Sequence, residues 1–232
     1  MKQLYMYLGV IIFLCSLHAI TVNALGNVTD RLALLKLKEC IADDPHGILM
    51  STWNDSIHFC DWPGITCSRR HGRVTALNLR AYDLRGSISP FISNLTFLRF
   101  IHLGNNGYFG EIPLEVGNLK RLQHLNLTNN MSSGKIPVSL VNCSELRSVD
   151  LAKNRLIGII PLEFGSLTKL ETLRISVNNL TGDIPASLGN LSSTSFKTFS
   201  AAYNNLMGNI PDEIGRLKIC SFLQHRAINF PV

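Results

Sequence analysis

Six glycines set the frame of this chain. Gly86, Gly110, Gly134, Gly158 and Gly182 stand 24 residues apart, and Gly208 follows after 26. The same phrase surrounds each one. An asparagine lies four residues upstream in five of the six copies, as Asn106, Asn130, Asn154, Asn178 and Asn204. Isoleucine lies two residues downstream in all six, and proline follows it in the last five. A fixed period in this range marks a solenoid, because a unit this small buries its apolar face only by stacking on the next. The chain reads as an array of one unit, not as a globular catalytic domain.

Repeat four shows the unit. Val149 and Leu151 alternate with Ser148, Asp150 and Ala152, which predicts a short strand with one buried face. One such strand per coil builds a parallel sheet, with the repeats running from residue 73 to 217. The asparagine amide can satisfy backbone groups where the strand bends away, and stacked copies would form a ladder. Gly158 permits a turn that a Cβ would hinder, and Pro161 fixes an extended segment on the return side. Repeat one departs with Tyr82 and Ser89 at the asparagine and proline positions. Repeat three has Ser132 where an apolar residue is usual, a soft spot. Repeat six carries two extra residues within Ser192–Ser195, read as a bulge on the convex side. Past Leu217 the pattern fails; residues 218–232 read as a degenerate tail or an incomplete seventh repeat.

The first coil of a solenoid has a bare apolar end that needs a cap. Residues 25–72 fit that task. Leu32, Leu34, Leu35, Cys40 and Ile41 suit an amphipathic helix from Asp30 to Ile41, capped by Thr29 or Asp30. Asp44–Gly47 is a turn, and a short second helix carries Ile48, Leu49 and Trp53. Residues 1–24 hold a long apolar run from Leu4 to Ile20 and a cleavage-like Val22-Asn23-Ala24, and read as a secretory signal. The competing reading is an uncleaved anchor. No later run is long enough to span a bilayer. In a secreted chain Cys60 and Cys67 read as a local disulfide, against half a zinc site that has no second pair of ligands. Cys40 and Cys143 fall on apolar positions and read as buried thiols.

The formal charge is +6, or +5 once Lys2 leaves with the signal. The basic residues are scattered apart from Arg69-Arg70-His71-Gly72-Arg73, which argues against a nucleic-acid interface and leaves acidic partners or pectin-like polyanions as a weak expectation. No catalytic constellation is present, and the pattern calls for no cofactor and no metal. His102 and His124 sit in neighbouring repeats and are placed near each other on the sheet. A pH-sensitive contact and plain solvated histidines are both open.

The strand alternation lists the concave face. One column runs Asn78, His102, Asn126, Asp150, Arg174 and Ser200; the next outward column begins at Arg80. These positions vary while the frame does not, and varied side chains on a rigid sheet are how solenoids read partners. The plainer alternative is that they only solvate the sheet. Asp150 and Arg174 are close enough in register to pair. Asn-x-Ser/Thr sequons occur at Asn27, Asn54, Asn94, Asn126, Asn130, Asn142, Asn179 and Asn190. Asn94, Asn142 and Asn190 recur on every second coil. Asn130 is expected to be too buried to carry a glycan, and Asn126 would obstruct the inner face.

The phrase Asn-x-Leu-x-Gly-x-Ile-Pro on this period resembles the plant-specific leucine-rich repeat, and the segment around Trp53, Cys60, Trp62, Gly64 and Cys67 resembles the N-terminal cap of those proteins. Together they span residues 29–217. Stretches such as Ala186–Leu191 and Asn204–Leu206 are similar to the flagellin, elongation-factor and blight-resistance group of plant receptor-like kinases. The resemblance implies an α/β solenoid with a parallel β-sheet on the concave face and a helical, disulfide-bonded cap. It implies a secreted or cell-surface module that binds a peptide or protein ligand, with a co-receptor kinase as partner, in immune or developmental signalling. The alternative is a secreted inhibitor of microbial cell-wall-degrading enzymes. The chain reads as cut off before any membrane span or kinase, so no enzymatic activity is expected of it.

Overall fold

A computed structural model of the chain describes residues 26, 28–191, 195–217 and 221–222. The signal segment, Asn27, most of the serine-rich insertion, Cys220 and the tail after Phe222 lie outside the described residues.

Each repeat lays down one strand of an inner sheet. Its strands are Ile65–Cys67, Val74–Asn78, Phe100–His102, His124–Asn126, Ser148–Asp150, Thr172–Arg174, Thr198–Ser200 and Ser221–Phe222, in spatial order. All neighbours are parallel except the first pair, where Ile65–Cys67 runs antiparallel to Val74–Asn78. The register is exact from coil to coil. Leu77, Ile101, Leu125, Val149, Leu173 and Phe199 stack behind the sheet, all buried. A one-residue slip would turn this apolar row outward, which is why the period holds the register so firmly.

The asparagine ladder forms. The Asn154 amide nitrogen donates to the carbonyls of Leu127, Leu151 and Ala152, and its oxygen accepts from Ser132 N. Asn130, Asn178 and Asn204 repeat this pattern. Each closes off backbone groups that would otherwise be stranded where the strand ends. Asn106 does more, because the coil before it has Tyr82 in place of the ladder residue. Its oxygen accepts from both Tyr82 N and Leu84 N. Ser132 is buried at 2% exposure.

Directly after the ladder residues the chain makes two short lateral sheets. Ile41–Asp43, Arg85–Gly86, Gly107–Glu111 and Met131–Ser133 form one; Ile157–Gly158, Asn179–Gly182 and Asn205–Leu206 form the other. An isolated bridge from Lys135 to Ile157 lies where they meet. Sequence periodicity did not foresee this second layer, since it shows in strands of only two to five residues. Gly158 at φ +80° closes its strand in the left-handed region, as expected.

The prolines lead into 3-10 helices on the convex side: Pro90–Asn94, Leu114–Asn118, Val138–Asn142, Leu162–Ser166, Ala186–Asn190 and Asp212–Arg216. These stack closely. A Cβ on Gly117 would sit 2.3 Å from Ser139 O, and one on Gly165 would sit 2.2 Å from Ser187 O.

The cap departs from its expected form in three ways. Its helix covers residues 28–39, and Ile41 leaves it to join the strand Ile41–Asp43, antiparallel to Arg85–Gly86. Gly86 alone among the frame glycines is not needed for a positive φ. A Cβ there would lie 2.3 Å from Cys40 O, so this glycine admits the cap strand. Asp30 is not a helix cap. It is 0% exposed and accepts from Arg73 Nε at 2.9 Å, Arg73 Nη2 at 2.7 Å and Val74 N at 2.8 Å, tying the cap to the first coil. Cys40 is half-buried, whereas Cys143 is buried as expected. Its Sγ donates to Val116 O, and burial pushes the thiol up to about 11. Trp53 and Trp62 stack at 5.3 Å between ring centroids, and each indole N–H finds a backbone carbonyl, of Pro63 and Asn54. Cys60 and Cys67 are joined by a disulfide with Cα atoms 5.5 Å apart.

Candidate ligand-binding surface

The inner sheet brings the expected column together. Asn78, His102, Asn126, Asp150, Arg174 and Ser200 are direct register partners on successive strands. They stand on a backbone whose polar groups are consumed by the parallel ladder, so recognition here belongs to side chains. Arg174 Nη1 lies 3.6 Å from Asp150 Oδ2, as the register implied. Asp150 is buried rather than exposed, at 8%, and its Oδ1 accepts from Ala152 N, two residues along its own chain, at 3.2 Å. The carboxylate is thus fixed while the Arg174 side chain stays half exposed. Asn126 is braced in the same way by Thr128 N, at 3.0 Å.

The two histidines lie on adjacent strands and on one face of the sheet, offset by two residues. His102 lies opposite Asn126, while His124 lies opposite Phe100 in a different column. The rings of Phe100 and His124 stack at 4.8 Å with an interplanar angle of 7°. Desolvation lowers the pKa of His102, Arg80 lowers it further and Asp150 opposes the shift. Desolvation also lowers that of His124, with Glu171 opposing and Arg147 reinforcing. Both rings are therefore biased toward the neutral form.

Sequence reasoning missed the edge where the inner strands begin. Phe97 lies between two guanidiniums, Arg73 at 4.6 Å and Arg121 at 4.0 Å from the ring centroid. The later coils carry charge pairs on the same rows: Lys169 with Glu145, and Arg147 and Lys197 with Glu171. The available signal was Phe97 and Phe100 at positions that are polar or charged in later copies. A second missed feature lies on the lateral and convex side, where Leu114, Val138, Ile157, Ile159 and Leu162 are exposed around Lys135.

The sequons separate by structure. Asn94, Asn142 and Asn190 each end a 3-10 helix on alternate coils. Asn130 is less buried than expected. What occupies it is bonding: its amide nitrogen, the atom a glycan would use, already donates to three carbonyls. Asn54 is held by Ser51 O and Ser56, and Asn179 accepts from Asn205. Among the described residues no group of three or more His, Cys, Asp or Glu is placed to hold a metal, and no helix is long and apolar enough to cross a membrane.

Known proteins share this arrangement. The leucine-rich-repeat N-terminal domain model matches residues 27–68, and the leucine-rich-repeat model matches 121–143, 145–167 and 169–191. The solved BIR2 ectodomain of Arabidopsis thaliana is 32% identical, with a TM-score of 0.67, over 77% of this chain and 94% of that one. The chain belongs to the plant leucine-rich-repeat ectodomain family. A plant ice-binding protein of this architecture superposes with a TM-score of 0.76 at 29% identity, over 83% of this chain and 61% of that one. The ectodomain of the Arabidopsis receptor kinase HAESA, solved with an IDA peptide hormone ligand, gives 0.64 at 29% identity, over 83% and 36%. The LRR receptor-like serine/threonine-protein kinase EFR of Arabidopsis thaliana is 48% identical over 91 residues, which are 39% of this leucine-rich-repeat chain and 9% of EFR. The chain thus spans only about a tenth of such curated relatives.

Proposed function

We propose that this chain is the extracellular recognition part of a plant receptor-like protein or kinase. Its ligand is a peptide or protein in immune or developmental signalling, with a co-receptor kinase as a second partner. The observation that carries this reading is the in-register column of dissimilar side chains on the inner sheet, with Asp150 and Asn126 each held by the backbone N–H two residues along. Side chains held by a rigid frame lose little freedom on binding, which favours specific recognition. The likeness to a peptide-bound receptor ectodomain supports it, and the disulfide fits an oxidising, extracellular setting. The likeness to the ice-binding protein rests on the shared frame. The outward lateral row runs Arg85, Phe109, Ser133, Ile157, Thr181 and Met207, a mixture without a repeated polar lattice. No catalytic step is assigned to the repeats.

The reading includes a division into a signal at 1–24, a cap at 25–72, six repeats at 73–217 and an incomplete seventh at 218–232. It also includes glycans at Asn94, Asn142 and Asn190, which would line the convex helix ends and leave the inner sheet open. An array of synthetic secreted and microbial peptides, probed with the glycosylated chain, tests the binding role. At least one peptide should bind and weaken by about tenfold on Arg174→Gln, the scale of one charge-assisted contact. Peptides that bind the variant equally well would remove the column from the site. Inhibition of a fungal polygalacturonase by the chain would favour the enzyme-inhibitor reading instead.

A further inference from the structure

We propose that the edge where the strands Val74–Asn78, Phe100–His102 and His124–Asn126 begin docks an acidic peptide segment carrying one apolar anchor side chain. The inference rests on the reading of the inner sheet as a recognition surface and names the chemistry of its partner. Arg99 and Arg121 are exposed there, and neither meets a carboxylate among the described residues. Asp30, which the cap brings to this edge, is buried and already spent on Arg73, and Glu145 on the next coil pairs with Lys169. The Arg121 guanidinium carbon lies 4.0 Å from the centroid of the Phe97 ring, and a guanidinium anchored on a ring suits forking a carboxylate.

Beside these cations stands the Phe100–His124 stack. Its neighbours in register are small: Ala76 on the Phe100 side and Ser148 on the His124 side. Phe100 keeps 43% of its surface in water, and no ring covers its face toward Ala76 among the described residues. The lowered His124 pKa keeps the stack uncharged near neutral pH. With only the Ala76 methyl beside it, the Phe100 face can take one apolar or aromatic side chain, whose burial there would add to the charge contacts. The parallel ladder leaves the inner strands no free backbone for pairing, so the segment is read by its side chains alone.

The test uses the full chain and the fluorescent pentapeptide acetyl-Glu-Glu-Tyr-Glu-Glu-amide, with the lysine-for-glutamate peptide and an oligogalacturonate as comparisons. The acidic peptide should bind, and binding should weaken as salt rises. It should weaken by about tenfold or more in the Arg99→Gln/Arg121→Gln double variant and several-fold in Phe100→Ala. Arg85→Gln, an exposed cation on the lateral sheet, should leave it unchanged. Because Arg121 also contacts Phe97, Arg99→Gln alone is run beside it with a melting curve for each variant. The inference is overturned by no binding of the acidic peptide, by equal binding to the folded variants, by preference for the lysine peptide, or by binding of oligogalacturonate alone. A natural peptide that needs Arg174 but ignores Arg99 and Arg121 would sink this inference and leave the recognition role standing.

Discussion

The two halves of the inner edge use the same two rows for opposite purposes. In the first coils the rows hold Arg73, Phe97, Arg99 and Arg121, with a single buried acid from the cap. In the later coils they hold Glu145 with Lys169, and Glu171 between Arg147 and Lys197. The first arrangement concentrates positive charge and ring surface; the second cancels charge in water. Stacking the repeats fixes where these rows lie but not what they carry, so the rows are free to bind cap, ligand or solvent.

That contrast predicts a graded response. The largest effect belongs to Arg73→Ala, which strands the buried Asp30 carboxylate between cap and first coil. The expected loss is about 3–5 kcal/mol in a denaturant melt. A change below about 1 kcal/mol would mean the pair adds nothing that solvent does not. Next, alanine at a ladder position should cost roughly 1–3 kcal/mol. Asn106→Ala should exceed Asn178→Ala, because Asn106 also serves Tyr82 N. Equal losses would erase that asymmetry. Glu171→Gln, in the exposed network, should cost only about 0.2–1 kcal/mol and vanish into the noise at high salt.

The smallest effect is on pH. His102 and His124 titrate below their unfolded value of 6.5. Below that pH the unfolded chain binds more protons than the folded one, so stability falls as pH drops from 6.5 through the lowered folded values. Melting temperature followed from pH 7.5 to 5 should decline, and the His102→Gln/His124→Gln pair should flatten the part of the slope these rings supply. The lowered pKa of Glu171, which comes from its hydrogen bond with Arg147, acts at lower pH: its contribution is present above 4.5 and lost as the carboxylate protonates.

Much of this frame was legible in the sequence, because period, asparagine and alternation are dictated by backbone needs that every coil shares. Leu151, Asn154 and Gly158 behave as read for that reason. The inner column was equally legible, since it follows from alternation alone. Contacts between different kinds of coil were not. Asp30 looks like a helix cap until Arg73, 43 residues away, is folded against it. Ile41 continues the apolar stripe of the helix, yet Gly86 offers it a strand partner that no local pattern announces. Adjacent repeats bring the two histidines near each other, and only the strand register shows that a two-residue offset puts them in separate columns.

The glycines of the convex helices act on the binding face from the far side. Gly117 and Gly165 let the outer helices close to distances a methyl group would forbid. A side chain at Gly165 would wedge coils four and five apart along their outer rim. Coils separated at the rim but held by the inner ladder tilt toward each other on the inside, which tightens the arc. The spacing between Asp150 and Arg174, and between any two groups a ligand must touch at once, is therefore set in part by atoms absent from the opposite wall.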